Sequence, residues 1–171
     1  MKTLGAVSFA LALVAMTAPE TKVDLKGVHL CCGGCEKASV KLVEDASSKA
    51  TADRKAGTFS ITAADAAAAQ KALDAIAAGG FYGSTGNKDL AIKDDSGAKK
   101  GKVTSLSLKG AHNCCGACCK AIKAAVKKCA GVESDDAKPK EGAFTVKGNF
   151  DAAELVKTLN DAGIHVVVDA K

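Results

Sequence analysis

Lys26-Gly27-Val28-His29-Leu30-Cys31-Cys32-Gly33-Gly34-Cys35 returns 83 residues later as Lys109-Gly110-Ala111-His112-Asn113-Cys114-Cys115-Gly116-Ala117-Cys118. The same offset carries Gly80 onto Gly163, and Phe59 falls on Phe144 at an offset of 85, so a small insertion sits in a loop. An in-register repeat of this kind reads as one structural unit used twice. Working outward from the two loops, residues 22–93 are expected to form the first module and 103–171 the second. The polar, glycine-containing stretch Asp94 to Lys102 is expected to be a short flexible linker.

Each unit has a βαββαβ rhythm. Val23 and Leu25 open the first copy, and Val103, Leu106 and Leu108 open the second, where Leu106 and Leu108 alternate in strand period. The cysteine loop follows, then a helix. Ala121, Ile122, Ala125, Val126 and Cys129 recur at three- and four-residue spacing, matched by Ala38, Ser39, Leu42, Val43 and Ala46. Weak strands are expected near 48–53 and 132–137, and clearer ones around Phe59 and Ile61 and around Phe144 and Val146. Second helices are expected over about 65–78 and 151–162, with Asp65 and Asp151 as N-caps and Gly79-Gly80 and Gly163 ending them. Leu90–Ile92 and Val166–Val168 close the pattern. Two helices on one face of a four-stranded antiparallel sheet, in tandem, is the ferredoxin-like α+β arrangement.

Composition bounds the function. Of 171 residues, 34 are Ala and only six are aromatic, so any core is built from small side chains. The net charge of +5 comes with one Arg and no Trp, which argues against a dedicated nucleic-acid binder. At the N-terminus Lys2 precedes an uncharged apolar run from Leu4 to Met16, too short for a comfortable transmembrane helix. Small residues Ala15 and Ala18 stand near the expected cleavage position, so 1–18 reads as a signal peptide. The remainder is expected to be exported, to a periplasm or outside the cell, or to stay membrane-anchored if the segment is not cleaved.

Chemistry concentrates in the eight cysteines. Six of them form two His-x-Cys-Cys-Gly-x-Cys loops, each placed between a strand and a helix start. Thiolates there gain from the positive end of the helix, which favours metal binding or nucleophilic chemistry. The pair in each loop reads as Cys32 with Cys35 and Cys115 with Cys118, or, one residue earlier, as Cys31 with Cys35 and Cys114 with Cys118. His29 and His112 stand two residues before the first cysteine. The extra thiol offers a third ligand, or lets two modules share a cluster. Soft low-coordinate ions such as Cu(I) or Hg(II) suit two or three thiolates, whereas structural Zn(II) wants four tetrahedral ligands. Cys129 falls on the apolar helix face and reads as a buried small hydrophobe. Cys119 aligns with Glu36 and is expected to be exposed. Tyr82 and His165 occupy matching positions beyond the second helices.

The loop, the rhythm and the Gly80-Phe81-Tyr82 end of the first copy resemble the heavy-metal-associated domain, the family of copper chaperones, periplasmic mercuric-ion binding proteins and the N-terminal modules of metal-pumping ATPases. The resemblance covers nearly all of the chain beyond residue 18, twice. It implies soft-metal binding, Cu(I) foremost with Hg(II) or Zn(II) as alternatives, through Cys32 and Cys35 and through Cys115 and Cys118, and a membrane metal transporter or metal-accepting protein as partner. The family's Met before the first cysteine is absent here.

The leading expectation is a monomeric binding protein, not an enzyme. Its two modules would work semi-independently on a tether, so that removing Cys32 and Cys35 abolishes one site and spares the other. No Ser/His/Asp set, paired catalytic carboxylates or phosphate-binding glycine loop stands out. The alternative is a thiol–disulfide redox protein using the CxxC pairs. A purely structural disulfide role fits less well, because cysteines confined to one loop close almost no chain.

Overall fold

The computed structural model describes residues 19–169, so the expected signal peptide lies outside the described residues. The chain is α+β, with four helices and two antiparallel sheets. The first half runs β1 (Thr21–Lys26), α1 (Gly33–Asp45), β2 (Lys49–Asp53), β3 (Thr58–Ala63) and α2 (Ala66–Ala78). The second runs β4 (Lys102–Lys109), α3 (Gly116–Val126), β5 (Val132–Asp135), β6 (Phe144–Asp151), α4 (Ala152–Asp161) and β7 (Val167–Val168). The sheet orders are β1-β3-β2 and β5-β6-β4-β7. No helix among the described residues is long and apolar enough to cross a membrane.

Periodicity explains the elements. Along β3, Phe59, Ile61 and Ala63 are buried on one face, and Val23 and Leu25 of β1 pair beside them. Helix α3 buries Cys118, Cys119, Ile122, Ala125 and Val126; α1 buries Cys35, Ser39 and Val43. The Asp65 carboxylate accepts from the Ala68 amide at 2.7 Å and Asp151 from Glu154 at 3.0 Å, so both aspartates cap as expected. Gly80 and Gly163, at φ of +83° and +81°, turn the chain out of α2 and α4. There the Phe81 amide reaches back to the Ile76 carbonyl, and the Ile164 amide to Leu159.

Two expectations need correction. Leu90–Ile92 is not a fourth strand of the first sheet. The edge of β1 is met instead by Ser84, whose amide and carbonyl exchange hydrogen bonds with Lys26. The chain then turns at Thr85–Asn87, where the Thr85 hydroxyl and the Asn87 side chain satisfy local backbone groups. Residues 90–92 pack on α2: Ile92 is buried and Gln70 Nε2 donates to the Ala91 carbonyl at 3.0 Å. The stretch 94–102 is also not a free tether. Ser96 is buried, its carbonyl accepts the Val168 amide at 2.7 Å, and Asp95 Oδ1 lies 2.8 Å from Nε2 of the buried His165. The segment's charged side chains read as solvated, but the Ser96 carbonyl ties its backbone to β7.

The two cores meet at the cysteine loops. Cys118 of the second half belongs to the buried cluster of the first, with Cys31, Cys32, Cys114 and Cys115 packed against it.

Candidate metal centre

A backbone clasp holds the loops face to face. The Gly163 carbonyl accepts the amides of His29 at 3.3 Å and Tyr82 at 3.0 Å, both from the first half. Reciprocally, the Gly80 carbonyl accepts the amides of His112 at 3.4 Å and His165 at 3.1 Å, both from the second. Phe81 and Ile164 form an antiparallel bridge across the seam, and the Phe81 ring stacks on His112 with centroids 4.2 Å apart. The expectation of semi-independent modules is thus corrected. The motif that ends each second helix is the one that grips the other half's cysteine loop.

Within that clasp six sulfurs converge. In the first loop, Cys35 Sγ lies 3.5 Å from Cys31 and 3.6 Å from Cys32, so the two pairings left open by the sequence coexist. In the second, Cys118 Sγ lies 3.7 Å from Cys114 and 4.0 Å from Cys115. Between the loops, Cys31 lies 3.2 Å from Cys118 and 3.5 Å from Cys115. Cys114 lies 3.5 Å from Cys35 and 3.8 Å from Cys32, and Cys35 lies 3.7 Å from Cys118. Among the described residues all eight cysteines are free thiols. Cys35 and Cys118 are 0% exposed, whereas the other four loop thiols are half-buried.

Local structure differentiates these thiols. Cys32 and Cys115 occupy the N-cap positions of α1 and α3 in extended backbone, without a side-chain capping hydrogen bond. Even so, the Cys35 amide holds the Cys32 thiol below its ordinary range. The Cys118 amide, with the Cys31 thiol beside it, brings Cys115 down to about 6. Burial pushes Cys31, Cys35 and Cys114 up. The two N-cap thiols are thus held lower than Cys31, Cys35 and Cys114 beside them.

The histidines lie where the loops cross. His29 has a ring nitrogen within 4.8 Å of Cys31 and Cys118, and His112 of Cys35, Cys114 and Cys118. Burial lowers the pKa of both, so each favours the neutral, ligand-competent form. The Nε2 atoms of both are buried without a hydrogen-bond partner among the described residues. A buried ring nitrogen without a partner is costly and is relieved by a donor or an ion. These Cys and His groups could hold a metal ion.

The remaining candidates lie apart. Cys129 is buried, as its helical position implies. Cys119 is buried as well, with its sulfur 3.4 Å from the Ala137 carbonyl, which corrects the expected exposure. Its alignment with Glu36 misled; the three-residue step to Ile122 and the seven-residue step to Val126 already placed it on the apolar stripe. Tyr82 and His165 contribute backbone amides to the clasp. The pairing of the clasp carbonyls with the opposite loop is the functional feature that sequence reasoning missed, since neither glycine advertises which amides it receives.

No family model matches the chain, and no curated protein matches it. Among solved structures, the N-terminal soluble domains of Bacillus subtilis CopA align over 90% of this chain and 97% of that chain, at 15% identity and a TM-score of 0.33. The functional reading accordingly rests on the cysteine geometry of this chain.

Proposed function

We propose that the protein is a pair of tandem ferredoxin-like modules that captures soft metal ions, Cu(I) foremost, through Cys31, Cys32, Cys35, Cys114, Cys115 and Cys118. The observation that carries this reading is the convergence of six free thiols at 3.2–4.0 Å in one partly buried site. Clustered thiolates select soft ions over Mg(II) or Ca(II), which require oxygen ligands. Cargo enters and leaves by ligand exchange, one thiolate at a time, with the half-buried Cys32 and Cys115 as points of first contact. Export is part of the same reading and rests on Lys2 and the apolar run Leu4–Met16. The acceptor is a membrane metal transporter or a thiol-bearing metal-accepting protein, and no enzymatic step is involved.

One observation favours a second ion. Cys35, Cys114, Cys118 and His112 form a Cys₃His group of the kind that suits tetrahedral Zn(II). Anaerobic titration of the reduced chain against chromophoric competitors, with Cu(I) and Zn(II) in parallel, separates the two. Tight Cu(I) uptake that Zn(II) does not displace is expected. Replacing all six loop cysteines with Ser should abolish uptake, while replacing Cys119 and Cys129 should leave it unchanged. A wild-type chain that leaves all the Cu(I) with the competitor sinks the reading.

A further inference from the structure

The sulfur distances fall into a pattern with a definite capacity. Cys32, Cys35 and Cys114 form a triangle with edges of 3.5–3.8 Å. It shares its Cys35–Cys114 edge with a second triangle, completed by Cys118 at 3.7 Å from both. That one shares Cys35–Cys118 with a third, completed by Cys31 at 3.5 and 3.2 Å. The third shares Cys31–Cys118 with a fourth, completed by Cys115 at 3.5 and 4.0 Å. The triangles do not end there: the sulfurs of Cys31, Cys32 and Cys35 lie within 4.8 Å of one another, as do those of Cys32, Cys114 and Cys115, so the six close into a cage. A point equidistant from three such sulfurs lies about 2.1 Å from each, close to the ~2.3 Å of a metal–thiolate bond, so a triangle fits one three-coordinate ion; centres of triangles that share an edge lie only about 2 Å apart, so edge-sharing neighbours do not fill together.

Resting on the soft-metal reading, we infer that the two loops form a single polynuclear centre that takes about four Cu(I) ions rather than two separate two-cysteine sites, one ion in each of four triangles that meet only at corners: Cys31–Cys32–Cys35, Cys32–Cys114–Cys115, Cys35–Cys114–Cys118 and Cys31–Cys115–Cys118. Each of the six sulfurs then bridges two ions. His112 adjoins the Cys35–Cys114–Cys118 triangle, and His29 adjoins Cys31 and Cys118. On loading, each thiol passes its proton to solvent as its sulfur binds copper. Copper stays Cu(I), and no electron moves.

Ion counting makes the inference testable. Native mass spectrometry of the full reduced chain, titrated anaerobically with Cu(I), counts the ions directly. The wild type should load to about four, and X-ray absorption should show copper–copper scattering. A single substitution in either loop, Cys32→Ser or Cys115→Ser, with circular dichroism as the check on folding, removes two of the four triangles and should leave about two ions. If the wild type binds two ions without copper–copper scattering, the shared centre is wrong and the soft-metal reading survives. If the wild type binds no Cu(I), both fall.

Discussion

A β-carbon on Gly80 would run into the His112 amide and the Gly110 carbonyl of the other half, and one on Gly163 into the Gly27 carbonyl and the His29 amide. Both residues also hold φ near +80°, a region that L side chains enter at a cost of about 1–2 kcal/mol. Gly163→Ala should therefore cost at least about 2 kcal/mol in urea denaturation and lower Cu(I) capacity, although residue 163 touches no sulfur. Unchanged capacity in that variant would count against the clasp as the device that positions the loops. Cys119→Ala, by contrast, removes a sulfur from the second core and should cost roughly 1 kcal/mol while leaving the ion count intact. At this scale the sequence was informative where residues repeat. The matching loops marked Cys31, Cys32 and Cys35, and Cys114, Cys115 and Cys118, as one constellation used twice. It was misleading at Cys119, where the alignment of the copies outweighed the helical period of the residue's own segment.

Among the elements, the helices follow most directly from local chemistry. Asp65 and Asp151 accept amides in the first turns of α2 and α4, and removing the Asp65 carboxylate with Asp65→Ala should cost about 1 kcal/mol. Asp151 also receives the Gly101 amide at 2.8 Å, tying the connecting segment to α4. The Glu154 amide, then that of Gly101, hold its carboxyl below the ordinary carboxylate range. A depressed folded-state pKa contributes stability above the unfolded value, near pH 4, and loses it as pH falls through the folded one. Asp151→Ala should thus lose more stability at neutral pH than in acid, as denaturation at several pH values would show. The strands were less legible. Leu90–Ile92 has a strand's composition, yet Gln70 and the first core draw it onto α2, while the single Ser84 bridge takes its place at the sheet edge. Such competition between a helix face and a sheet edge is tertiary, and no local pattern encodes it.

Across the whole molecule the halves are joined three ways: through the clasp, the packed segment around Ser96, and the sulfurs themselves. Ions that bridge both loops bind only when the halves are docked, so they stabilise the docked state by mass action. Cu(I) loading should raise the melting temperature of the full chain and merge unfolding into one transition. Stripping the metal with an excess of a soft chelator should reverse both effects in calorimetry. Two transitions that move separately with added Cu(I) would mean that each half binds on its own.

The seam has a temporal side. Four amides share two carbonyls there, so parting the halves strands all of them at once, and separation is concerted rather than a gradual fraying. A competitor for ions held on the buried Cys35 and Cys118 must wait for that event. Their dwell time should then equal the waiting time for the seam to part, and a saturating acceptor should drain them no faster when its concentration is doubled.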